Sequence, residues 1–431
     1  MTPSPGAEAL LAELPRRGFP EAEIFEKRGR SRRFSRQAAR ADARMTQAVA
    51  NEEGWALRAG DHRRSLFHAA TGKPAPATAL LDPSPHALHL PEPRAVDPWS
   101  DPPELDAPLV TESEATTLLA ELERELQREL PESRLVVALL EDGASESTLL
   151  STRGLHAEWR ARAAYLRLEV EDRERRCRFE GAERDARQFE PRALALRLVD
   201  RLCALEETRE LPAGASGDCG VLLAAALAAR LVQAFAPLFL GPAASARLVP
   251  LGACSPALTL IDDGRLASGV LVSPVDGEGL PCGRTVLVEQ GRFVQPLLAW
   301  WEAGRAAVPG CARRASWRDL PRRAPTHLFV APGTTAVGEL VAAVGSGCYL
   351  LDAEGAVRLD PASFAFEVPV SGMHLAAGRA VAPLGRVRLC GDVRSFLAGI
   401  QVLARDLLFV PGDGMFGAPS MLVSGLRVLP L

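Results

Sequence analysis

The sequence predicts an α+β protein: layers of antiparallel sheet and helices in the N-terminal half, then a β-rich C-terminal domain. Apolar and polar residues alternate at 165–171, as in a half-buried strand, and leucines recur at helical spacing between 111 and 130. From about residue 220, short apolar runs alternate with Gly, Pro and Asp, which indicates mixed sheets or a distorted barrel. We therefore divide the chain into an N-terminal α/β domain (1–90), a Pro-rich linker (91–110), a central α/β domain (111–215) and the β-rich C-terminal domain (216–431).

The first segment is predicted to begin with a helix at 7–14 and a strand at 22–27. Seven arginines follow within 28–44, a stretch that suits either a nucleic-acid-binding arm or an antiparallel hairpin with a solvated basic face. We favour the hairpin, with Phe34 and Met45 on its buried side, because nearby acidic residues offset the charge and no aromatic residues are interleaved for base stacking. No nucleic-acid partner is expected.

The central segment contains clearer sequence patterns for helices and strands than the first segment does. Thr111 and Glu114 form a capping box at the start of the leucine-spaced helix. The apolar run 135–140 predicts a buried strand that turns at Asp142-Gly143. A helix is expected at 191–206 with Pro191 in its first turn.

Composition excludes several classes of protein. The 431 residues are 47% hydrophobic and carry a net charge of −4, which favours a globular chain with no general attraction to nucleic acid or anionic membrane. The most apolar stretch, 221–240, contains Arg230 and Gln233, so we interpret it as a buried helix and not a membrane span. No signal peptide is evident, and the eight cysteines form no CxxC pair. A cytoplasmic protein without a membrane partner is expected.

Residues that carry chemistry are few. The C-terminal domain has two histidines, His327 and His374, far apart in the sequence, and no H-E-x-x-H or G-x-S-x-G motif or P-loop occurs. The acidic stretches 262–264 and 276–279 are predicted to be turns, since Asp and Gly favour them. The sequence leaves a catalytic Cys–His pair as an alternative, because such partners meet in space and need not be close along the chain.

Several motifs recur in one order along the chain. They are ALTLIDDG at 257–264, VDGEG at 275–279, VLVEQG at 286–291, LFVAPG at 328–333, LCGD at 389–392 followed by 400–406, GAPSMLV at 417–423, and, near the N-terminus, AEI at 22–24 and GWALR at 54–58. Each motif is weak by itself, but their order resembles the TldD/PmbA family of metallopeptidase-related proteins over nearly the whole chain. The segment from 389 to 406 resembles that family's late I-x-G-[DN] segment and its helix.

The resemblance implies where a zinc site would lie. Catalytic members of the family carry an H-E-x-x-x-H helix after a V-L-L strand, and a cysteine near the C-terminus. Here the strand is 221–223, and the two histidines and the glutamate correspond to Ala224, Ala229 and Ala225, while the cysteine corresponds to Phe416. Methyl and phenyl groups cannot ligate zinc, and no carboxylate remains to activate water.

The resemblance therefore implies a PmbA/TldE-like branch without metal, cofactor or catalytic residues of its own. Such a chain would be an inactive subunit that pairs with a TldD-type metallopeptidase, which alone holds zinc. The heterodimer would cleave unfolded or leader peptides in an enclosed cavity, as in peptide maturation. Two alternatives remain: a stand-alone peptide-binding or structural homodimer, and an enzyme with metal-independent chemistry that uses Cys390 or His374.

Overall fold

The computed structural model describes residues 3–37, 45–74, 84–206, 220–248, 252, 254–304 and 306–431. The helices in these parts of the chain are α1 (Pro5–Glu13), α2 (Glu112–Glu129), α3 (Pro191–Ala204), α4 (Ala225–Phe235), α5 (Ala244–Leu248), α6 (Val337–Val344) and α7 (Val393–Gly399). None of these helices is long and apolar enough to cross a membrane.

The N-terminal half is built on one six-stranded antiparallel sheet. Its strands are β1 (Glu21–Gln37), β2 (Thr46–Gly60), β3 (Ser65–Thr71), β4 (Arg134–Ser151), β5 (His156–Asp172) and β6 (Arg175–Glu183), and their spatial order is β3-β2-β1-β4-β5-β6. Because β1 pairs with β4, the segments 1–90 and 111–215 contribute strands to the same sheet. Residues 91–110, between them, contain no strand and only one short 3₁₀ turn.

Helices α2 and α3 cover one face of this sheet. The capping box of Thr111 and Glu114 is present at the start of α2, and its leucines bury themselves against Phe34 of β1. The basic hairpin predicted at 28–44 is observed as the β1–β2 pair in the described residues, with Arg28 and Arg33 in exposed ion pairs and Met45 partly buried.

One local prediction in this half is wrong. Asp142-Gly143 does not turn the chain, because β4 continues through it and pairs there with both β1 and β5. The Asp142 carboxylate instead accepts hydrogen bonds from the Val110 N–H at 2.8 Å and the buried Arg162 guanidinium at 3.0 Å. Asp142 therefore holds the end of the linker, and β4 continues through Asp142-Gly143.

The C-terminal half contains two larger sheets and a two-stranded ribbon. Its strands are β7 (Gly220–Leu223), β8 (Leu260–Asp263), β9 (Arg284–Glu289), β10 (Arg292–Phe293), β11 (Ala312–Arg313), β12 (Arg322–Arg323), β13 (His327–Val330), β14 (Gly347–Ala353), β15 (Arg358–Leu359), β16 (Ala365–Ala376), β17 (Arg379–Asp392), β18 (Ile400–Leu403), β19 (Leu408–Pro411), β20 (Met415–Ala418), β21 (Met421–Val423) and β22 (Arg427–Pro430). One sheet has the order β10-β9-β8-β13-β20-β19, the other runs β18-β21-β7-β14-β16-β17-β22 with β15 beside β16, and β11 pairs with β12.

Both large sheets are mixed. Parallel pairs β13–β20 and β7–β14 lie among antiparallel neighbours, and the described strands close no barrel. Helix α4 packs against strands of both sheets, namely β13, β19 and β20 on one side and β14 on the other. An α+β fold with mixed C-terminal sheets, one of the two expected forms, is thus confirmed.

Two boundaries in this half differ from expectation. Asp262 and Asp263 lie within β8 and not in a turn, because each pairs with a residue of β9. Residues 400–403 form β18, and the helix of that segment is α7, which precedes them. The turn expected at 276–279 is present, since the Asp276 carboxylate accepts from the Glu278 and Leu280 N–H groups at 2.9 and 3.0 Å.

Candidate functional site

The four positions that the sequence resemblance assigns to the family's zinc site lie around α4. Ala224 is the N-cap residue, and its N–H donates to the Leu350 carbonyl at 2.8 Å. Ala225 is 6% exposed, Ala229 is fully buried, and Phe416 on β20 is 4% exposed. Because α4 packs against β20, Ala229 and Phe416 belong to the same apolar core.

These residues do not fit a zinc ion. The first turn of α4 contains no acidic residue, and alanine and phenylalanine offer no lone pair to a metal. Within the described ranges, no group of three or more His, Cys, Asp or Glu side chains is placed to hold one either. Packed apolar groups fill the location, so the residues around the start of α4 support no metal-dependent step.

The N-cap residue of α4, Ala224, has no side-chain oxygen that could accept a hydrogen bond from the first turn of the helix. Ser420 supplies such an oxygen instead. The Ser420 Oγ accepts a hydrogen bond from the Ala225 N–H at 3.1 Å, and it donates to an Asp406 oxygen at 2.6 Å. The second Asp406 oxygen accepts from the Ser420 N–H at 2.9 Å. The Ser420 hydroxyl thus takes the place of an N-cap side chain. Ser420 lies within the GAPSMLV motif, but nothing in the sequence pairs it with Ala225.

The two residues considered for replaced chemistry lie far apart. Cys390 on β17 pairs with Glu367 of β16, seven residues along that strand from His374, or roughly 23 Å of extended chain. Burial raises the pKa of the Cys390 thiol, which disfavours the nucleophilic thiolate. His374 is buried, and its Nε2 has no hydrogen-bond partner in the described part of the chain. The structure therefore forms no Cys390–His374 pair.

His327, the other histidine of this half, is held by backbone groups. Its Nδ1 donates to the Asp263 carbonyl at 2.9 Å, and its Nε2 accepts from the Leu271 N–H at 3.2 Å. Burial lowers its pKa to about 4, against an ordinary value of 6.5. The ring is thus neutral near pH 7, with both nitrogens occupied, and serves to join the loop at Leu271 to β13.

His327→Gln is expected to change the pH dependence of stability. Between pH 6.5 and 4 the unfolded chain binds a proton here that the folded chain excludes, so this stabilisation is complete above pH 6.5 and is lost as the pH falls toward 4. Wild type should lose roughly 3 kcal/mol more than the variant over this window. Urea unfolding at several pH values measures it, with exposed His89→Gln as the control. Parallel curves for wild type and His327→Gln would contradict the assignment.

A buried ion network joins the two halves of the molecule. Arg58 of β2 donates to Glu23 of β1 at 2.6 Å and to Glu278 of the 276–279 turn at 2.7 Å. Arg314, which follows β11, also donates to Glu23, and the Trp300 indole donates to Glu278 at 2.6 Å. The side chains of Glu23 and Glu278 are 2% and 1% exposed.

The pKa values of the two carboxyl groups in this network shift in opposite directions. Burial acts to raise the pKa of both carboxyl groups. For Glu23 the two guanidinium groups outweigh burial and its pKa is lowered, whereas for Glu278 burial prevails over Arg58 and its pKa is raised. Three motifs that are distant in sequence, at 22–24, 54–58 and 275–279, thus meet at one joint. Their acidic and basic residues join the two halves through buried hydrogen bonds.

Comparison with known proteins gives the family of the C-terminal half. Residues 216–429 match the model of the PmbA/TldA metallopeptidase C-terminal domain. Metalloprotease TldD homologs from two subspecies of Buchnera aphidicola, those of Schizaphis graminum and Acyrthosiphon pisum, are 27% and 26% identical over 163 residues. The matched segment is 37% of this chain and 33% of those relatives, so the chain aligns with only a third of their length.

The fold is similar to that of solved structures over nearly the whole chain. TldE from Thermococcus kodakarensis superposes with a TM-score of 0.83, covering 98% of this chain and 100% of that one at 16% identity. A protein from Thermotoga maritima MSB8, described as a modulator of a DNA gyrase, gives a TM-score of 0.80 at 17% identity, covering 98% of each chain. With this fold and with the family domain in its C-terminal half, the chain belongs to the TldD/PmbA/TldE family.

Proposed function

We propose that this chain is the non-catalytic subunit of a heteromeric TldD-type zinc metallopeptidase. The observation that carries the proposal is the start of α4, where Ala225, Ala229 and Phe416 fill the family's ligand and base positions with buried apolar groups. A partner chain with H-E-x-x-x-H would then supply both zinc and the base. This chain contributes no cofactor to the complex.

The proposed role is to wall off and gate a shared cavity in which unfolded or leader peptides are cut. The likeness in fold to a protein named TldE supports an assignment to that branch. Peptides would enter as extended strands, which suits backbone capture at sheet edges. The complex is expected to work in the cytoplasm, with no nucleic acid or membrane partner.

Reconstitution with a TldD-type partner tests the proposal. Native mass spectrometry should show a complex that holds zinc in the partner alone, and the complex should cleave an unfolded peptide. Changing the partner's H-E-x-x-x-H glutamate to glutamine should abolish cleavage, because activation of the metal-bound water resides there. Cys390→Ala and His374→Ala in this chain should leave the rate within a few-fold.

Other outcomes would favour the alternatives. A tight self-complex that ignores the partner would indicate the stand-alone homodimer. Cleavage by this chain alone that survives a chelator, and is lost in Cys390→Ala, would indicate metal-independent chemistry. The raised pKa of Cys390 argues against a thiolate nucleophile at that residue, and the separation of Cys390 from His374 argues against a catalytic pair of the two.

A further inference from the structure

Small side chains line one face of the N-terminal sheet, opposite to the face that α2 and α3 cover. Ser31 of β1 lies between Ala50 of β2 and Gly143 of β4, and Ser145 of β4 lies beside Ala161 of β5. All of these residues line one cavity of about 640 Å³. Four adjacent strands therefore form a floor with little side-chain bulk, which leaves room above it.

The C-terminal domain forms the other wall of this cavity. Loop 270–277 and residues 312–314 face the floor, and Phe25 and Trp159, stacked with ring centroids 5.9 Å apart, stand at one end. The volume lies in the range of roughly 300–1,000 Å³ that is usual for ligand pockets. The cavity is thus a trough between the two halves of the molecule, distinct from the apolar site at α4.

Most charged groups that face this trough are already engaged. Arg33 pairs with Glu141 at 2.7 Å, and Arg314 pairs with Glu23. Glu52 lies 3.9 Å from Arg318, and the Asp276 carboxylate accepts backbone N–H groups, including that of Ala312 at 2.9 Å. Each of these side chains already has a partner within the chain.

Besides the exposed Arg30, two further cations line the trough and differ from the charged groups above, namely Lys27 and Arg313. Both are half-buried and face the trough from opposite walls, and neither makes an ion pair with any residue of the described ranges. Burial lowers the pKa of Lys27, attraction by Glu52 opposes this lowering, and repulsion by Arg313 adds to it. Burial also lowers the pKa of Arg313, although Asp262 attracts it. Two cations that repel each other across a small polar space favour the entry of an anion.

We propose that this trough binds the carboxylate group of an acidic peptide between Lys27 and Arg313. A guanidinium group matches a carboxylate with two parallel hydrogen bonds, and an ammonium group adds a point charge from the other wall. The floor of glycine, alanine and serine leaves space for an extended backbone beside the bound group. The site itself stands on the cavity and its charges; that its ligand is a peptide rests on the proposed function.

The chain offers a built-in control, because it contains only two lysines, Lys27 in the trough and exposed Lys73 outside it. A saturating glutamate-rich peptide should protect Lys27, but not Lys73, from acetylation, as measured by mass spectrometry of the intact wild-type chain. The peptide with glutamines in place of glutamates should not protect it. Amidating the peptide's C-terminus should leave the protection unchanged, because the glutamate side chains supply the carboxylates; protection that disappears on amidation would overturn the proposal.

Affinity measurements with the same labelled peptide complete the test. Lys27→Gln and Arg313→Gln should each weaken binding by about tenfold or more, since each removes a charge-assisted hydrogen bond. Arg292→Gln, at an exposed position on β10, should bind like wild type. Equal acetylation of Lys27 with and without the peptide, equal binding of the glutamine peptide, or protection by inorganic phosphate but not by the peptide would each overturn the proposal. Failure here leaves the zinc-partner experiment unaffected, so the two proposals can be judged separately.

Discussion

Arg58→Met is expected to destabilise the folded chain by about 3–5 kcal/mol, because it leaves two buried carboxylates short of a cation. Glu23 would keep Arg314 as a partner, whereas Glu278 would keep only the Trp300 indole. The larger share of the loss should therefore come from Glu278, whose side chain is 1% exposed. Urea unfolding followed by circular dichroism measures the loss.

The same variant has a defined pH signature. Burial already raises the pKa of Glu278, and loss of Arg58 should raise it further. The folded variant would then hold a proton that the unfolded chain releases, so its stability falls as the pH rises above about 4.5. The difference between Arg58→Met and wild type should thus be larger at pH 8 than at pH 5, and a second change, Glu278→Gln, should recover part of it.

A matched control lies on the strand paired with β2. Arg28 of β1 makes an exposed ion pair with Glu53 at 2.9 Å, and its side chain is 46% exposed. Arg28→Met should cost no more than about 1 kcal/mol. If Arg58→Met cost as little as Arg28→Met, the network would not be the joint between the two halves that its geometry indicates.

Rebuilding the family's zinc motif in α4 is expected to unfold the C-terminal domain and not to restore a site. The triple variant Ala224→His, Ala225→Glu, Ala229→His places polar and charged groups at one half-buried and two buried positions, and Ala229 belongs to the main apolar core. Burying an unpaired carboxylate and overpacking the fully buried position 229 should together cost more than about 4 kcal/mol. Phe416 would still occupy the position of the fourth ligand, so no stoichiometric zinc should bind.

Thermal unfolding and elemental analysis of the purified triple variant measure both effects. Ala226→Glu is the matched control, because Ala226 lies in the same turn of α4 but is only half-buried. It should cost clearly less than Ala225→Glu, whose side chain enters the core. A triple variant as stable as wild type would show that these positions tolerate polar groups, and one that holds one zinc per chain would show that Phe416 does not block a site.

Local patterns predicted the elements whose interactions are local. The capping box of Thr111 and Glu114 involves atoms three residues apart, so their spacing alone identifies the start of α2. Alternation at 165–171 likewise identifies β5. The turn predicted at Asp142-Gly143 is absent because the turn propensity of this dipeptide is weaker than the pairing of β4 with strands on both sides. Local sequence could not reveal this pairing, since β1 is distant in sequence.

The sequence by itself determined the family resemblance, the α+β class and the absence of His, Cys, Asp and Glu from α4. These follow from the order of residues along the chain, which side-chain contacts do not alter. Only the tertiary structure decided that Glu23, Arg58, Glu278 and Arg314 meet, that Ser420 supports Ala225, and that Lys27 faces Arg313. Each of these arrangements brings together residues from different strands or loops, which no local period in the sequence can predict.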